Sequence, residues 1–148
     1  MTELGHVVLY VHNLERSVAF YRDLVGFQTV GEIDPSVMKA AIFSSGRTHH
    51  ELLLLEVGED AAEIPAGRRV GLYHIGLKVG ENDDDLREVL DRLNKSDARV
   101  VGSSDHGVTH SLYVLDPDGN EIELFIDVPG VDWKNPASMM VPIKPLKL

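Results

Sequence analysis

Residues 105–127, DHGVTHSLYVLDPDGNEIELFID, form the most informative segment of this chain. It predicts two β-strands on either side of the turn-forming residues DPDGN. The first strand is a run of β-branched, aromatic and aliphatic residues, and in the second strand apolar and polar residues alternate. In the alternating run Ile122, Leu124 and Ile126 share one face, and Glu123 lies mid-strand on the other. A carboxylate on a strand whose other face is buried costs folding free energy unless its own face is exposed to water or a cation pairs with it. The rest of the chain favours the cation.

Composition indicates a single globular domain. The 148 residues are enough for one core, and a hydrophobic fraction of 43% is ordinary for a soluble protein. The chain has no cysteine, so a bound metal must be held by His, Asp and Glu. The net charge of −10 argues against nucleic acid as a partner, and neither a membrane span nor a signal peptide is predicted. We therefore expect a cytoplasmic protein with no membrane or nucleic-acid partner.

The same arrangement of elements occurs twice along the chain. A strand, a helix and three further strands are predicted in residues 4–58 and again in residues 72–127. A linker, residues 59–71, separates the two copies, and a proline-rich tail, residues 128–148, follows the second without a predicted regular element. This repeat predicts an α+β fold of two tandem βαβββ modules.

The repeat aligns equivalent strand positions in the two modules. HVVLYV, from His6, corresponds to HIGLKV, from His74, and EIELFI falls over ELLLLE, so that Glu123 occupies the position of Leu53. A pseudo-twofold axis can bring such positions together, and three of the four carry metal-ligand side chains. Two histidines and one carboxylate with open positions are typical of non-haem Fe(II) oxygen chemistry.

These motifs resemble the vicinal oxygen chelate superfamily, which includes glyoxalase I, bleomycin-resistance proteins and extradiol dioxygenases. The resemblance covers residues 4–127. HVVLYVHNLERSVAFYRDLVGF is similar to the opening strand and helix of the family, YHIGLKV to the start of its second module, and LDPDGNEIEL to the closing hairpin with the acidic ligand. The resemblance implies one domain, residues 1–148, whose two modules form a half-open barrel around a metal.

Within the superfamily the sequence most resembles the extradiol (catechol 2,3-) dioxygenases. The resemblance implies that His6, His74 and Glu123 bind the metal. Fe(II) is the expected ion, although Mn(II) accepts the same ligands. A catechol would be the substrate and O2 the co-substrate. The family also implies a homodimer or a higher homo-oligomer.

Three further residues match catalytic positions of that branch. His50, in THHELLLLE, matches the acid–base histidine near oxygen and substrate. His106, in DHGVTHSLY, matches a histidine before the closing hairpin. Tyr113 matches a tyrosine ten residues before the acidic ligand, which contacts a substrate hydroxyl. His110 is an alternative to His106 as a group that orients the substrate.

Two other functions share the same fold. A glyoxalase I-like or epimerase-like isomerase or lyase would need a fourth protein ligand from the last strand of the first module. The aligned residue there is Leu53, and a slip of register would offer Glu51 or Glu56 instead. A metal-free, small-molecule-binding protein of the bleomycin-resistance type is the third possibility. Outside the site, His49 is expected to point away from it and His12 to be solvated.

Overall fold

The computed structural model describes residues 1–148, apart from the side chain of Glu32, and divides them into two compact units, Met1–Pro65 and Ala66–Leu148. Each unit has the element order strand, helix, strand, strand, strand, with its four strands in one mixed sheet. The predicted α+β fold with two βαβββ modules is therefore confirmed. The division of the chain into domains stays a prediction.

The first unit begins with a strand and a helix, as predicted. Its elements are β1 Val7–Val11, α1 Leu14–Ala19, a π-helical segment Phe20–Val25, β2 Thr29–Glu32, β3 Ala40–Phe43 and β4 Leu52–Glu56. Asn13 caps α1, because its side chain accepts the backbone N–H of Arg16. Gly26 ends the π-helical segment with φ at 90°. The strand order in the sheet is β1-β4-β3-β2.

The second unit contains the predicted hairpin at the predicted residues. Its elements are β5 His74–Gly80, α2 Asp83–Asn94, β6 Arg99–Asp105, β7 Thr109–Leu115, β8 Glu121–Asp127 and a short 3-10 helix Pro136–Met139. Strand β6 extends through residues 102–105, GSSD, because pairing with β7 outweighs the weak strand propensity of these residues. The tail was predicted to lack regular elements, but it contains the 3-10 helix and one bridge to β6.

Alternation along β8 separates the core of the second unit from the candidate site. Ile122, Leu124 and Ile126 are fully buried. Helix α2 contacts β5 and β8, and its Leu86, Val89 and Leu93 are buried as well. Glu123 lies on the opposite face and is half-buried. The predicted alternation of β8 is confirmed, because one face is buried and the face that carries Glu123 is partly exposed.

The asparagine before α2 provides a test of the local fold. Asn82 Oδ1 accepts the backbone N–H groups of Asp84 at 2.9 Å and Asp85 at 3.2 Å. We expect Asn82→Ala to lower the free energy of unfolding by about 1 kcal/mol, because these N–H groups lose their acceptor. Asn94→Ala, at the exposed end of the same helix, should change it by less than about 0.5 kcal/mol. Urea unfolding measures both, and equal effects would contradict the cap.

Among the helices of the described chain, none has the length and apolar character that crossing a bilayer requires.

Candidate functional site

The register of the two sheets confirms the predicted equivalence of Leu53 and Glu123. In the first unit β1 runs parallel to β4, and Val8 pairs with Leu53. In the second unit β5 runs parallel to β8, and Gly76 pairs with Glu123. Each of these pairs lies two residues beyond the histidine of its module. The first module therefore places an aliphatic side chain where the second places a carboxylate.

His74 and Glu123 meet on the polar face of the second sheet. Nε2 of His74 lies 3.2 Å from Oε2 of Glu123. The other nitrogen, Nδ1, lies 3.6 Å from Oε1 of Glu121, which is too long for a hydrogen bond. These side chains are half-buried, with 28% of His74 and 17% of Glu123 exposed. An imidazole and a carboxylate are thus held together where water has partial access.

The pair fits a divalent metal. Two donors on adjacent positions of one ion, each at about 2.1 Å, lie about 3.0 Å apart, and the His74–Glu123 separation is 3.2 Å. Nδ1 of His74 is buried without a hydrogen-bond partner. A metal on Nε2 would leave the proton on Nδ1, facing the carboxylate of Glu121, an arrangement common behind metal-bound histidines.

The third predicted ligand, His6, belongs to the first unit, where it is exposed just before β1. Within the described part of each unit, no three His, Asp or Glu side chains form a group that holds an ion. The set of His6, His74 and Glu123 therefore stays a prediction, to which the second unit contributes an assembled pair.

Tyr113 and His106 join the same pair. Tyr113 is the direct cross-strand partner of Glu123 in the β7–β8 hairpin, so the ten-residue spacing follows from the hairpin register. Its hydroxyl donates to Oε1 of Glu123 at 3.3 Å, and Nε2 of His106 lies 2.8 Å from that hydroxyl oxygen. Burial and the Glu123 carboxylate raise the pKa of Tyr113, which keeps the phenol protonated as a hydrogen-bond donor. We call His74, His106, Tyr113 and Glu123 the Glu123 cluster.

In the first unit, His6 and His50 are neighbours. Their ring centroids lie 4.4 Å apart. His49 was predicted to point away, and this is wrong, because its Nδ1 lies 2.5 Å from Nδ1 of His50. Burial and the neighbouring rings of His6 and His49 lower the pKa of His50, which favours the neutral imidazole at pH 7. The structure thus groups the predicted acid–base residue with one predicted ligand and with a second, unpredicted histidine.

The two carboxylates that a register slip would offer as a fourth ligand have structural partners. Glu51 accepts the backbone N–H of Ser45 at 2.5 Å and Nε of Arg47 at 2.8 Å. Burial acts to raise the pKa of Glu51, but these hydrogen bonds outweigh it and hold the pKa below its ordinary value. Glu56 accepts Nζ of Lys39 at 2.7 Å and the backbone N–H of Leu14 at 2.9 Å. Both carboxylates stabilise the first unit.

The structural role of Glu56 predicts a pH dependence. The hydrogen bonds from Lys39 and Leu14 lower the pKa of Glu56 from 4.5. Its contribution to stability is therefore present above pH 4.5 and is lost as the pH falls through the lower folded pKa. Urea unfolding of Glu56→Gln should show a deficit against the parent chain that is largest at neutral pH and shrinks in acid. Glu59→Gln, at an exposed position, is the control, and a deficit independent of pH would contradict this role.

Three other polar residues lie differently from expectation. His110 lies on the opposite face of β7 from Tyr113, where its Nδ1 contacts Oδ1 of Asp83 at 2.6 Å, so it is not part of the Glu123 cluster. His12 was predicted to be solvated, and this is wrong, because its Nε2 lies 3.0 Å from the carbonyl oxygen of Ala61. Glu121 was missed as the carboxylate nearest to Nδ1 of His74, at 3.6 Å. The alternation of β8, which places it on the same face as Glu123, could have revealed it.

Comparisons with known proteins identify the family of this chain. The family model of the Glyoxalase/Bleomycin resistance protein/Dioxygenase superfamily matches residues 3–124. Catechol-2,3-dioxygenase of Bacillus subtilis (strain 168) is 34% identical over 133 residues, which cover 90% of this chain and 44% of that protein. The chain thus spans less than half the length of this relative. Lactoylglutathione lyase of Neisseria meningitidis serogroup A is 30% identical over 135 residues, which cover 87% of this chain and 94% of the lyase.

Solved structures share the fold at low identity. A glyoxylase/bleomycin resistance protein/dioxygenase domain from Frankia sp. EAN1pec has a TM-score of 0.69 at 20% identity and covers 86% of this chain and 98% of its own. The fosfomycin resistance protein FosX from Listeria monocytogenes has a TM-score of 0.63 at 18% identity, with 87% and 96% covered. Sequence matches, fold and the paired modules all lead to one conclusion. The chain belongs to the glyoxalase/bleomycin resistance protein/dioxygenase superfamily, that of the vicinal oxygen chelate fold.

Proposed function

We propose that this chain is an extradiol dioxygenase, which opens the ring of a catechol beside its diol and adds both atoms of O2. The observation that carries this proposal is the contact of Tyr113 with both Glu123 and His106. The phenol of Tyr113 lies beside Glu123, the proposed ligand, on the side of the sheet opposite the buried residues of β8. It can serve as a donor to an oxygen of a bound diol.

The number of ligands favours the dioxygenase over an isomerase. His6, His74 and Glu123 would bind Fe(II), or Mn(II), and leave positions open for substrate and O2. Leu53 occupies the position equivalent to Glu123, so the first module offers no carboxylate there. With Glu51 and Glu56 engaged by their own partners, nothing in this part of the first unit favours a fourth ligand.

Each side chain then has a definite task. The metal would supply the electron exchange with O2 that side chains lack. Tyr113 donates a hydrogen bond to a substrate oxygen on which charge develops, and His106 holds the hydroxyl of Tyr113 in place. His50, neutral at the start, accepts a proton from the diol and later returns it to the opening ring. The product is a ring-opened semialdehyde of the muconic type.

An isomerase or lyase of the glyoxalase I type is the second candidate. The observation that favours it is the match to Neisseria meningitidis lactoylglutathione lyase, which is 30% identical and is covered over 94% of its own chain. For either activity we propose a small-molecule substrate, a homodimer or higher homo-oligomer, and a cytoplasmic location.

The test is oxygen consumption by protein loaded with Fe(II) without air, against a panel of small catechols. We expect O2 uptake with a yellow ring-opened product, and neither should appear with His74→Ala. Formation of lactoylglutathione from its hemithioacetal precursor is assayed on the same preparation with Fe(II), Zn(II) or Ni(II). Isomerase activity without O2 uptake would replace the proposal by the second candidate. Failure to retain any metal would indicate a metal-free binding protein.

A further inference from the structure

The C-terminal tail is bonded to the turn that carries His106. The backbone N–H of Asp105 donates to the carbonyl oxygen of Lys144 at 2.9 Å, and the N–H of Lys144 donates back to Asp105 at 2.9 Å. Strand β6 is the edge of its sheet, so on this side Asp105 has no neighbouring strand other than the tail. The tail thus fixes the last residue of β6 immediately before His106.

Proline placement explains why the tail is extended at this point. Pro142 and Pro145 flank the segment, and a residue before proline is restricted to extended conformations. Lys144 precedes Pro145 and therefore has the extended backbone that a bridge to a strand needs. The sequence of the tail is in this way suited to pair with β6 at one residue and no further.

A second contact joins the tail to the turn, between Val141 and Gly107. Gly107 has φ at 79°, and a Cβ added there would overlap Cγ2 of Val141. Within the turn, Oδ1 of Asp105 accepts the N–H of Gly107 at 2.7 Å, and the N–H of His106 donates to the carbonyl of Thr109 at 2.9 Å. The turn is therefore held by its own hydrogen bonds on one side and by Val141 on the other.

This restraint bears directly on the Glu123 cluster. His106 lies between the two clamped residues, Asp105 and Gly107, and its Nε2 is 2.8 Å from the hydroxyl of Tyr113. We infer that Val141 and Lys144 are positioning residues, which hold His106 against Tyr113 through the turn. The inference rests on the proposed function of Tyr113, and it gives the tail after the last module a part in the reaction.

Gly107 provides the sharpest test, because Gly119 has a similar positive φ without the contact. Gly119 has φ at 88°, and the space that a Cβ would occupy there is open. Gly107→Ala should displace Val141, change the ring resonances of His106 in NMR spectra of the metal-free full chain, and lower kcat by about tenfold. Gly119→Ala introduces the same backbone strain and should leave those resonances and kcat as they are.

Rescue distinguishes the tail contact from strain within the turn. Without Cγ2 of Val141, the nearest tail atom to an added Cβ at Gly107 is Cβ of Val141 at 3.6 Å, an ordinary contact. Gly107→Ala with Val141→Ala should therefore recover most of the His106 resonances and of kcat. A double variant no better than Gly107→Ala would overturn the inference, as would an unchanged His106 in the single variant.

The bridge to Asp105 is tested separately. Lys144→Pro removes the N–H that donates to Asp105 and should change the His106 resonances, whereas Lys147→Pro places the same residue further along the tail and should not. Equal effects of the two prolines would overturn the inference. Thermal unfolding confirms that each variant is folded. Because the NMR comparison needs neither metal nor substrate, it decides the role of the tail even if no catechol is cleaved.

Discussion

Replacing Glu123 by glutamine is expected to weaken metal binding by at least about 100-fold, more than the loss of an outer partner of a metal ligand usually costs. Glutamine keeps the shape of the side chain but removes the negative charge that faces Nε2 of His74 at 3.2 Å. A neutral amide oxygen is a poor ligand for a divalent ion compared with a carboxylate. Metal analysis after dialysis without air should find about one ion per parent chain and none in Glu123→Gln.

Glu121 is the matched control for this substitution. It lies on the same strand and the same face, and its carboxylate is 3.6 Å from the other nitrogen of His74. Glu121→Gln removes an equal charge but no proposed ligand, so metal affinity should fall by only about tenfold. Calorimetric titration with Mn(II), which is stable in air, measures both variants. A larger loss in Glu121→Gln than in Glu123→Gln would reverse the roles of the two carboxylates.

The placement of Glu123 and Tyr113 could be predicted from the sequence because strand geometry is regular. Alternation along 121–127 places Glu123 opposite the buried face, and the turn residues fix the hairpin register. Once that register is known, the ten residues between Tyr113 and Glu123 make them direct cross-strand partners. The repeat likewise predicts that Leu53 and Glu123 are equivalent, because parallel pairing extends by the same number of residues from each histidine.

The contacts that could not be predicted depend on loops. His12 reaches the carbonyl of Ala61 across 49 residues, and no local pattern indicates which loop will cover it. His49 and His50 lie just before β4, outside the regular pleat, so strand geometry gives no guide to where their rings point, and His49 contacts His50. His110 is a different case. It shares the parity of Leu112 and Val114 on β7, so its place on the core face could have been predicted.

Replacing His50 by alanine is expected to lower the rate of catechol cleavage by about 10²–10⁴-fold, the range for loss of a general acid–base group. The reason is the placement of His50, whose ring lies against His6 with the centroids 4.4 Å apart. A base in this position is beside a proposed metal ligand, where a chelated diol would lose its proton. Single-turnover measurements of O2 uptake, with the metal content of each variant determined first, isolate the effect on proton transfer from any loss of metal through His6.

His49 is the control, because it contacts the same ring without a proposed role in proton transfer. Its Nδ1 lies 2.5 Å from Nδ1 of His50, so one proton shared between these atoms fixes which nitrogen of His50 remains free to accept another. His49→Ala removes that restraint and should lower the rate less than His50→Ala does, while His49→Gln, which can still hydrogen-bond, should lie closer to the parent chain. If His50→Ala retains full activity with its metal bound, the proton must be taken by another group, and the resemblance that assigns this histidine to catalysis does not extend to this chain.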